Sequence, residues 1–339
     1  MGRSFSGLVI FVLKRLVQLI PVVFGVATIT FIFTRLAVRD PCAIWYPKAK
    51  PAVVQGCIHT FGLDQPIPTQ FVNYLGQLLR GDWGNAPPSL GSAPVLPTIL
   101  SQFPATLELV LTSLFLMVVI GIPLGVVAAN ANGRIADHLV RIFYLSGWAT
   151  PTYLAAVLLA IAVGPVLGLP VSSATPPPYP TPTHFSLIDA ALTLNPSNVA
   201  YAAAHLALPA VALAFLNMGI ATRMTRSSML EVLPLDYVKT ARMKGLTQAW
   251  VLYKHALRNS LITTVTVLGI TAGGLLSGTV VIESIFSWPG IGKYAYQAIV
   301  GYNFPGTVGV VIVFAVGVVV ANLIADVLYG ILDPRVEWR

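Results

Sequence analysis

Long apolar stretches alternate with shorter polar or proline-rich segments along this chain. Six stretches are long enough to cross a bilayer, at approximately residues 16–36, 104–129, 142–167, 201–222, 260–282 and 307–332. A spanning helix needs roughly 20 predominantly apolar residues, because a helix rises about 1.5 Å per residue through a hydrocarbon core about 30 Å thick. The pattern therefore predicts an all-α integral membrane protein with six transmembrane helices.

Composition supports this class. Charged residues make up 9% of the chain and hydrophobic residues 56%, whereas soluble proteins carry about 25% charged residues. The first stretch is longer than the apolar core of a signal peptide and has Arg35 near its end, so we interpret it as a retained helix. Membrane lipid is accordingly an expected partner.

The Lys and Arg residues are distributed unevenly between the two sets of loops. With a cytoplasmic N-terminus, fourteen of the twenty lie inside and six outside. Short cytoplasmic loops carry the excess of positive charge in membrane proteins. Both termini are therefore predicted to be cytoplasmic, and the net charge of +8 follows from topology, so no nucleic-acid partner is expected.

The predicted topology divides the chain into three regions. Residues 1–37 hold the N-terminus and first helix, residues 38–103 form an external loop or small domain, and residues 104–339 form a five-helix transmembrane domain. Within the external loop, residues 72–84 predict a short amphipathic helix that ends at a glycine turn. A second external loop, residues 168–198, is rich in proline and is either a stiff strap or disordered.

Cys42 and Cys57, the only two cysteines, both fall in the first external loop. An oxidising compartment would allow a disulfide between them, which would restrain a segment with little core of its own. Two free thiols are the alternative that spacing leaves open.

A few polar residues fall within the predicted spans or, like Glu283, at the end of one, and burying a charge in a span costs at least about 2.5 kcal/mol. The candidates are Glu108, Asn217, Glu283 and Asp326. Proton coupling would favour a row of acidic groups at mid-membrane depth, which this chain lacks. We therefore assign these residues structural or pathway-lining roles, and interhelical hydrogen bonding in particular to Asn217.

The chain carries no recognisable catalytic motif. It has no G-x-x-x-x-G-K-[ST] phosphate loop, no G-x-S-x-G elbow, no H-E-x-x-H pair and no Cys/His cluster with metal-ligand spacing. We therefore expect no enzyme activity, no metal and no bound cofactor in this chain, and any ATP and Mg²⁺ that drive it would be bound by other subunits.

The segment at residues 223–258 is a basic insert between two apolar stretches, with seven of the twenty Lys and Arg residues. Asp236 is a plausible N-cap after Pro234, and Gly245 is suited to end the helix. The predicted helix of about nine residues is too short to be stable alone. It must therefore pack on its own chain, on a partner, or on both.

These residues resemble a known family. DYVKTARMKGL at residues 236–246, followed by HALRNSL, resembles the cytoplasmic loop of ABC importer permeases, in particular the dipeptide and oligopeptide branch. Further segments recur in the expected order over nearly the whole chain: LKRLVQLIPVVFGVATITF, GDWGNA, FPATLEL, GIPLGVVAA, HLALPA, FSWPGIGKY and LYGILDPRVE. The general importer pattern has Glu where Lys239 stands, a departure compatible with the peptide branch.

The resemblance implies a type I importer fold and a five-part machine in the plasma (inner) membrane of a prokaryote. The expected partners are a second permease, two cytoplasmic ATPases and an external substrate-binding protein. The short helix between the fourth and fifth spans would be the coupling helix, seated on an ATPase. The residues expected to transmit ATPase closure are Asp236, Tyr237, Lys239, Thr240, Ala241, Lys244 and Gly245.

The substrate implied by the resemblance is a short peptide. Nickel chelates or other small solutes remain open within the same family. A stand-alone secondary transporter is the alternative from another class, but it would require a mid-membrane ionisable site or inverted repeats.

Overall fold

The computed structural model describes residues 5–37, 40–173 and 176–332. Across these ranges the chain is almost entirely helical, and the one extended pairing within them is an isolated antiparallel bridge between Asn85 and Pro94. The predicted position of the two termini concerns residues that lie partly outside the described ranges.

The first span and a small helical region after it form the beginning of the chain. The elements are α1 (Phe5–Ala37), α2 (Pro41–Trp45), α3 (Pro51–Thr60) and α4 (Ile67–Leu79). Helix α4 corresponds to the predicted amphipathic helix, although it begins five residues earlier. Proline at N1 or N2 favours that start, and Gly81 follows the helix with φ of +80°.

The second span is longer than predicted. It runs through α5 (Val95–Leu116), a π turn (Met117–Gly121) and α6 (Ile122–Asn130). Pro104 lies inside the helix instead of at its start. Val95 and Ile99, both fully buried in an apolar cluster with Ile291, extend the helix towards its N-terminus because their burial outweighs the hydrogen bond that proline removes.

The third span is broken, so the prediction of one continuous helix over residues 142–167 was wrong. Helix α7 (Ile135–Ala149) makes a bend of 110° with the following segment, Thr152–Leu167. That segment consists of α8 (Thr152–Leu158), a π turn (Leu159–Val163) and α9 (Gly164–Leu167). Pro151 cannot donate a backbone hydrogen bond and biases the preceding residue towards extended conformations. Thr150 accordingly has φ −86° and ψ 128°.

The remaining elements follow in the predicted order. They are α10 (Ser186–Leu192), α11 (Pro196–Val232), α12 (Asp236–Met243), α13 (Gln248–Trp250), a π turn (Val251–Ala256), α14 (Leu257–Phe286), α15 (Ile291–Val300) and α16 (Phe304–Leu332). Helix α10 lies in the proline-rich loop, which is therefore partly helical. Helix α13, the π turn and α14 form one continuous rod, Gln248–Phe286.

Five helices among the described residues are long and apolar enough to cross a membrane, and the bent pair makes six. The predicted six-span fold is therefore confirmed. The core lies between α5, α6, α11 and α14. Backbones approach closely there: a Cβ added at Gly125 would lie 2.6 Å from Cβ of Thr225. Helix α12 lies at one end of the bundle, the α12 end, and α2 and α3 lie at the opposite end.

Candidate functional site

The short helix α12 follows the long helix α11 after a turn of three residues. It begins at Asp236, and Leu235 is the N-cap with extended backbone and no side-chain capping bond. The prediction that Asp236 is the N-cap was therefore wrong by one residue. Asp236 lies in the first turn instead, where its negative charge interacts favourably with the positive end of the helix dipole. Its carboxylate accepts a hydrogen bond from Lys239 Nζ at 3.0 Å.

Helix α12 has one buried face and one exposed face. Val238 is fully buried and Ala241 is 5% exposed, and their spacing of three residues places them on the same side of the helix. Both belong to the main core cluster with Val251 and Leu252 of the π turn. The remaining predicted coupling residues are exposed: Asp236, Tyr237, Lys239, Thr240, Lys244 and Gly245.

Ala241 therefore contacts its own chain. Sequence reasoning grouped it with the residues that transmit ATPase closure, but its small side chain instead lets α12 approach the π turn closely. The exposed positions are left to meet a partner surface. Lys239, Arg242 and Lys244 give this surface a positive character.

The end of α12 is a glycine turn. Gly245 has φ of +76°, and its amide donates to the carbonyl of Arg242 at 3.0 Å. This left-handed conformation is accessible to glycine at little cost. The next helix starts immediately afterwards, where Thr247 Oγ1 accepts a hydrogen bond from the Trp250 amide.

Two side-chain hydrogen bonds fix the loop to the bundle. Tyr237 OH accepts a hydrogen bond from Asn259 Nδ2 of α14 at 2.8 Å. Gln248 Nε2 donates to Asn130 Oδ1 at the end of α6 at 2.9 Å. Helix α12 thus packs on the π turn and is joined to α14 by a hydrogen bond, and its loop is joined to α6.

A buried ionic cluster lies at the same end of the bundle and was not anticipated from the sequence. The Asp137 carboxylate is fully buried, and Arg226 of α11 binds both of its oxygens, at 2.7 and 2.9 Å. Arg141 and the Gly133 amide donate to the same carboxylate. Arg226 also donates to Asn132 Oδ1 at 3.0 Å.

The only local signal for this cluster was the i, i+4 pairing of Asp137 with Arg141 in one helix. Arg226 is 89 residues away in sequence and belongs to another helix. No local spacing rule reveals such a contact.

Glu108 holds the proline-rich loop. Its buried carboxylate accepts hydrogen bonds from the amides of Ser186 at 2.8 Å and Leu187 at 2.6 Å. The Tyr179 hydroxyl lies 2.9 Å from Ser186 Oγ, and burial raises the pKa of Tyr179. These contacts attach the start of α10 to α5.

Glu283 organises the turn between α14 and α15. Its fully buried carboxylate accepts from Thr106 Oγ1 at 2.7 Å and from the Lys293 amide at 2.9 Å. A Cβ added at Gly290 would collide with Thr106 Oγ1 and the Glu283 carboxylate. The glycine in FSWPGIGKY is therefore required by this carboxylate.

The other two polar candidates lie elsewhere. Asp326 forms an ion pair with Arg15 of α1 at 2.6 Å. Asn217 Nδ2 donates to the Leu213 carbonyl of its own helix at 2.9 Å, so the interhelical bond predicted for Asn217 is replaced by an intrahelical one. The structure thus disperses the four candidates instead of gathering them into one site.

Cys42 and Cys57 are joined by a disulfide, with their Cα atoms 5.9 Å apart. The disulfide connects α2 to α3. With Trp45 and Phe304 it forms a small apolar cluster, so α2 and α3 pack against the beginning of α16.

Two models of known protein families match this chain. A family model described as the inner membrane component of binding-protein-dependent transport systems matches residues 121–338. A second model, described as the N-terminal part of such membrane components, matches residues 8–110. This chain belongs to that family. It is a multi-pass membrane protein and a transport subunit, and the family predicted from its motifs is confirmed.

Curated relatives match almost end to end. A probable D,D-dipeptide transport system permease of Escherichia coli is 40% identical, with 95% of this chain and 96% of the relative covered. A di/tripeptide transport system permease of Pseudomonas aeruginosa is 38% identical, with 97% and 99% covered. An oligopeptide transport system permease of Bacillus subtilis is 34% identical, with the same coverage.

Solved structures of the MetNI methionine ABC transporter in inward-facing conformations are similar in fold. One has a TM-score of 0.53 at 19% identity, covering 70% of this chain and 98% of that chain. Another has a TM-score of 0.51 at 19% identity. The predicted importer-like fold is confirmed by this likeness.

Proposed function

We propose that this chain is a permease subunit of an ATP-binding-cassette importer for short peptides. The observation that carries the proposal is end-to-end similarity to dipeptide, tripeptide and oligopeptide permeases. Its proposed partners are a second permease, two ATPases and an external substrate-binding protein. ATP and Mg²⁺ are bound by the ATPases, and this chain hydrolyses nothing itself.

In this proposal α12 lies on the cytoplasmic side and docks on an ATPase. Its exposed face carries Tyr237, Thr240 and Lys244, whereas Val238 and Ala241 attach it to the rod that contains α14. A displacement of α12 is therefore transmitted directly to α14. The excess of Lys and Arg in residues 223–258 supports this orientation, and we propose that both termini are cytoplasmic.

The mechanism that follows is alternating access. When the ATPases close on ATP, they shift α12 as a rigid lever. Helix α11 moves with it because a short turn joins the two helices, and α14 moves with it because α12 packs on the rod that contains α14. A cavity between the two permeases then opens towards the docked binding protein, and ATP hydrolysis reverses the change. Residues 40–103, with the disulfide, are proposed to lie outside and to help dock the binding protein.

The test is reconstitution of the complete transporter in proteoliposomes. The binding protein and a radiolabelled di- or tripeptide are supplied on the side of the membrane that carries the external loops. We expect uptake that depends on ATP, on the ATPases and on the binding protein. ATP-independent uptake by this chain alone would favour a secondary transporter. Import of a nickel chelate or another small solute but of no peptide would reassign the substrate.

A further inference from the structure

The break in the third span opens a cleft of about 230 Å³ between α7, α8, α11 and α14. Its polar side chains are Thr150 and Thr152 at the break, Asn217 near the middle of α11, and Ser277 of α14. Irregular backbone at membrane depth is tolerated where it lines a cavity. The cleft thus accounts for a helix break in an otherwise apolar span.

The hydroxyls of Thr150 and Ser277 and one of the two side-chain N–H groups of Asn217 already donate hydrogen bonds within the chain. Thr150 Oγ1 donates to the Ser146 carbonyl at 2.6 Å, Ser277 Oγ to the Gly274 carbonyl at 2.8 Å, and Asn217 Nδ2 to the Leu213 carbonyl. Their oxygen lone pairs remain available as acceptors. The cleft therefore offers uncharged acceptors, which suit N–H donors.

Gly147 and Gly274 both line the cleft but have different surroundings. Gly147 brings α7 so close to α11 that an added Cβ would lie 2.6 Å from the Phe215 carbonyl oxygen. Gly274 is the opposite case, because a Cβ there would meet nothing within 4 Å. Gly274 lines the cleft, so a side chain added there would begin in open space and would occupy part of the cleft.

We propose that this cleft is this chain's part of the translocation path and that it binds the backbone N–H groups of the passing peptide. The inference rests on the proposed function. Backbone N–H groups occur in peptides of any sequence, so uncharged acceptors accept varied substrates. A path must also bind weakly enough to release its cargo, which neutral hydrogen bonds of about 0.5–1.5 kcal/mol permit.

The size and position of the cleft agree with a partial site. Closed sites for small molecules are about 300–1,000 Å³, and this cleft is smaller and open on one side. Trp148 borders it and also borders a smaller cavity that reaches Arg223. The cleft and this mainly apolar cavity thus follow one another along α11 towards the α12 end, which is the direction import requires.

The decisive experiment substitutes Gly274 by Leu and compares it with Gly25→Leu. Both glycines lie in spanning helices and have open space around an added Cβ, but Gly25 lies in α1, away from the cleft. Uptake of a radiolabelled tripeptide is measured in proteoliposomes at saturating loaded binding protein. We expect Gly274→Leu to lower uptake at least tenfold and Gly25→Leu to leave it within twofold of the unchanged protein.

Yield, unfolding temperature and co-purification of the ATPases are measured for both variants, so that a failure to assemble is recognised. Uptake by Gly274→Leu at the unchanged rate would overturn the proposal. If the unchanged protein imports no peptide at all, the proposed function itself fails, which is a distinct result.

A second variant covers the possibility that Gly274→Leu fails to assemble. Ser277→Cys introduces one thiol into the cleft, whereas the two native cysteines are joined in a disulfide. A small charged thiol reagent should modify Ser277→Cys in the assembled transporter, and peptide with loaded binding protein and ATP should slow the modification severalfold. A thiol that is shielded by lipid or by the second permease in every state of the cycle would overturn the proposal.

Discussion

Arg226 of α11 and Asp137 of α7 form a two-pronged ion pair, with Nε 2.7 Å from Oδ1 and Nη2 2.9 Å from Oδ2. The contact fixes the turn between α6 and α7 to the long helix that leads into α12. Asn130 at the same turn accepts a hydrogen bond from Gln248. Helices α6, α7 and α11 and the α12 loop are therefore joined at one end of the bundle.

The first prediction concerns Asp137. Asp137→Asn leaves Arg226 and Arg141 facing a neutral amide, and we expect a loss of unfolding free energy of roughly 2 kcal/mol, the usual scale for hydrogen bonds to a charged group. The measurement is the unfolding temperature of the purified protein in detergent. Arg141→Gln is the control and should lower the unfolding temperature less than Asp137→Asn. It leaves the contact between Asp137 and Arg226 in place, and the Arg141 side chain it removes is 36% exposed, whereas that of Arg226 is 17% exposed.

A consequence for transport follows from the same contact. If the cluster only stabilises the fold, the remaining folded Asp137→Asn protein should import peptide normally. If it also transmits movement from α12, ATP hydrolysis by the assembled transporter should continue with less peptide imported per ATP. We expect the second result, and an unchanged ratio of peptide to ATP would contradict it.

The second prediction separates the two faces of α12. Ala241→Glu would bury a carboxylate beside Val251 and Leu252, the apolar residues of the π turn, which costs several kcal/mol when no partner is supplied, so we expect low yield and a reduced unfolding temperature. Thr240→Glu changes the neighbouring exposed position and should leave yield and unfolding temperature unchanged. It should weaken co-purification of the ATPases, because it places negative charge on a positive surface.

Equal loss of stability in both variants would contradict the assignment of the faces. Retention of the ATPases at full occupancy by Thr240→Glu would indicate that the exposed face of α12 is not where they dock.

The sequence was sufficient to predict most of the fold. Uninterrupted apolar length identified the spans, since no other structure satisfies backbone hydrogen bonds in lipid. The prediction of one continuous helix was wrong at the third span. Residues 142–167 are apolar on both sides of Pro151, and hydropathy does not detect a bend. The local signal for the bend is the Thr150-Pro151 dipeptide, because the residue before a proline is biased away from helical conformations.

The sequence predicts only those features of the site that depend on residues close together in the chain. The position and end of α12 followed from Pro234 and Gly245, whereas the direction in which Ala241 faces depends on the helix that packs against it. The pairing of Asp137 with Arg226 and the attachment of Glu108 to the Ser186 amide join distant segments, and only the tertiary fold establishes them.

The third prediction concerns the turn at Glu283. Gly290→Ala places a methyl group where Thr106 Oγ1 and the Glu283 carboxylate now lie, and overpacking of this kind costs about 1–3 kcal/mol. We expect a lower unfolding temperature in detergent. Gly76→Ala is the matched control, because a Cβ at Gly76 meets nothing within 4 Å; a comparable loss in both variants would show that the contact with Glu283 is not the cause.

The last prediction concerns Cys42 and Cys57. Their disulfide closes a loop with a sequence separation of 15 residues, for which the chain-entropy estimate is about 3 kcal/mol. Replacing both by serine, or adding a reductant, should therefore expose α2 and α3 to proteolysis while the spanning helices remain protected, because those helices pack in a separate core. Limited proteolysis of membrane vesicles, followed by mass spectrometry, measures this directly. Reductant should have no effect on the serine variant, and cleavage of the oxidised and reduced proteins at equal rates would show that this region is held by Trp45 and Phe304 without help from the disulfide.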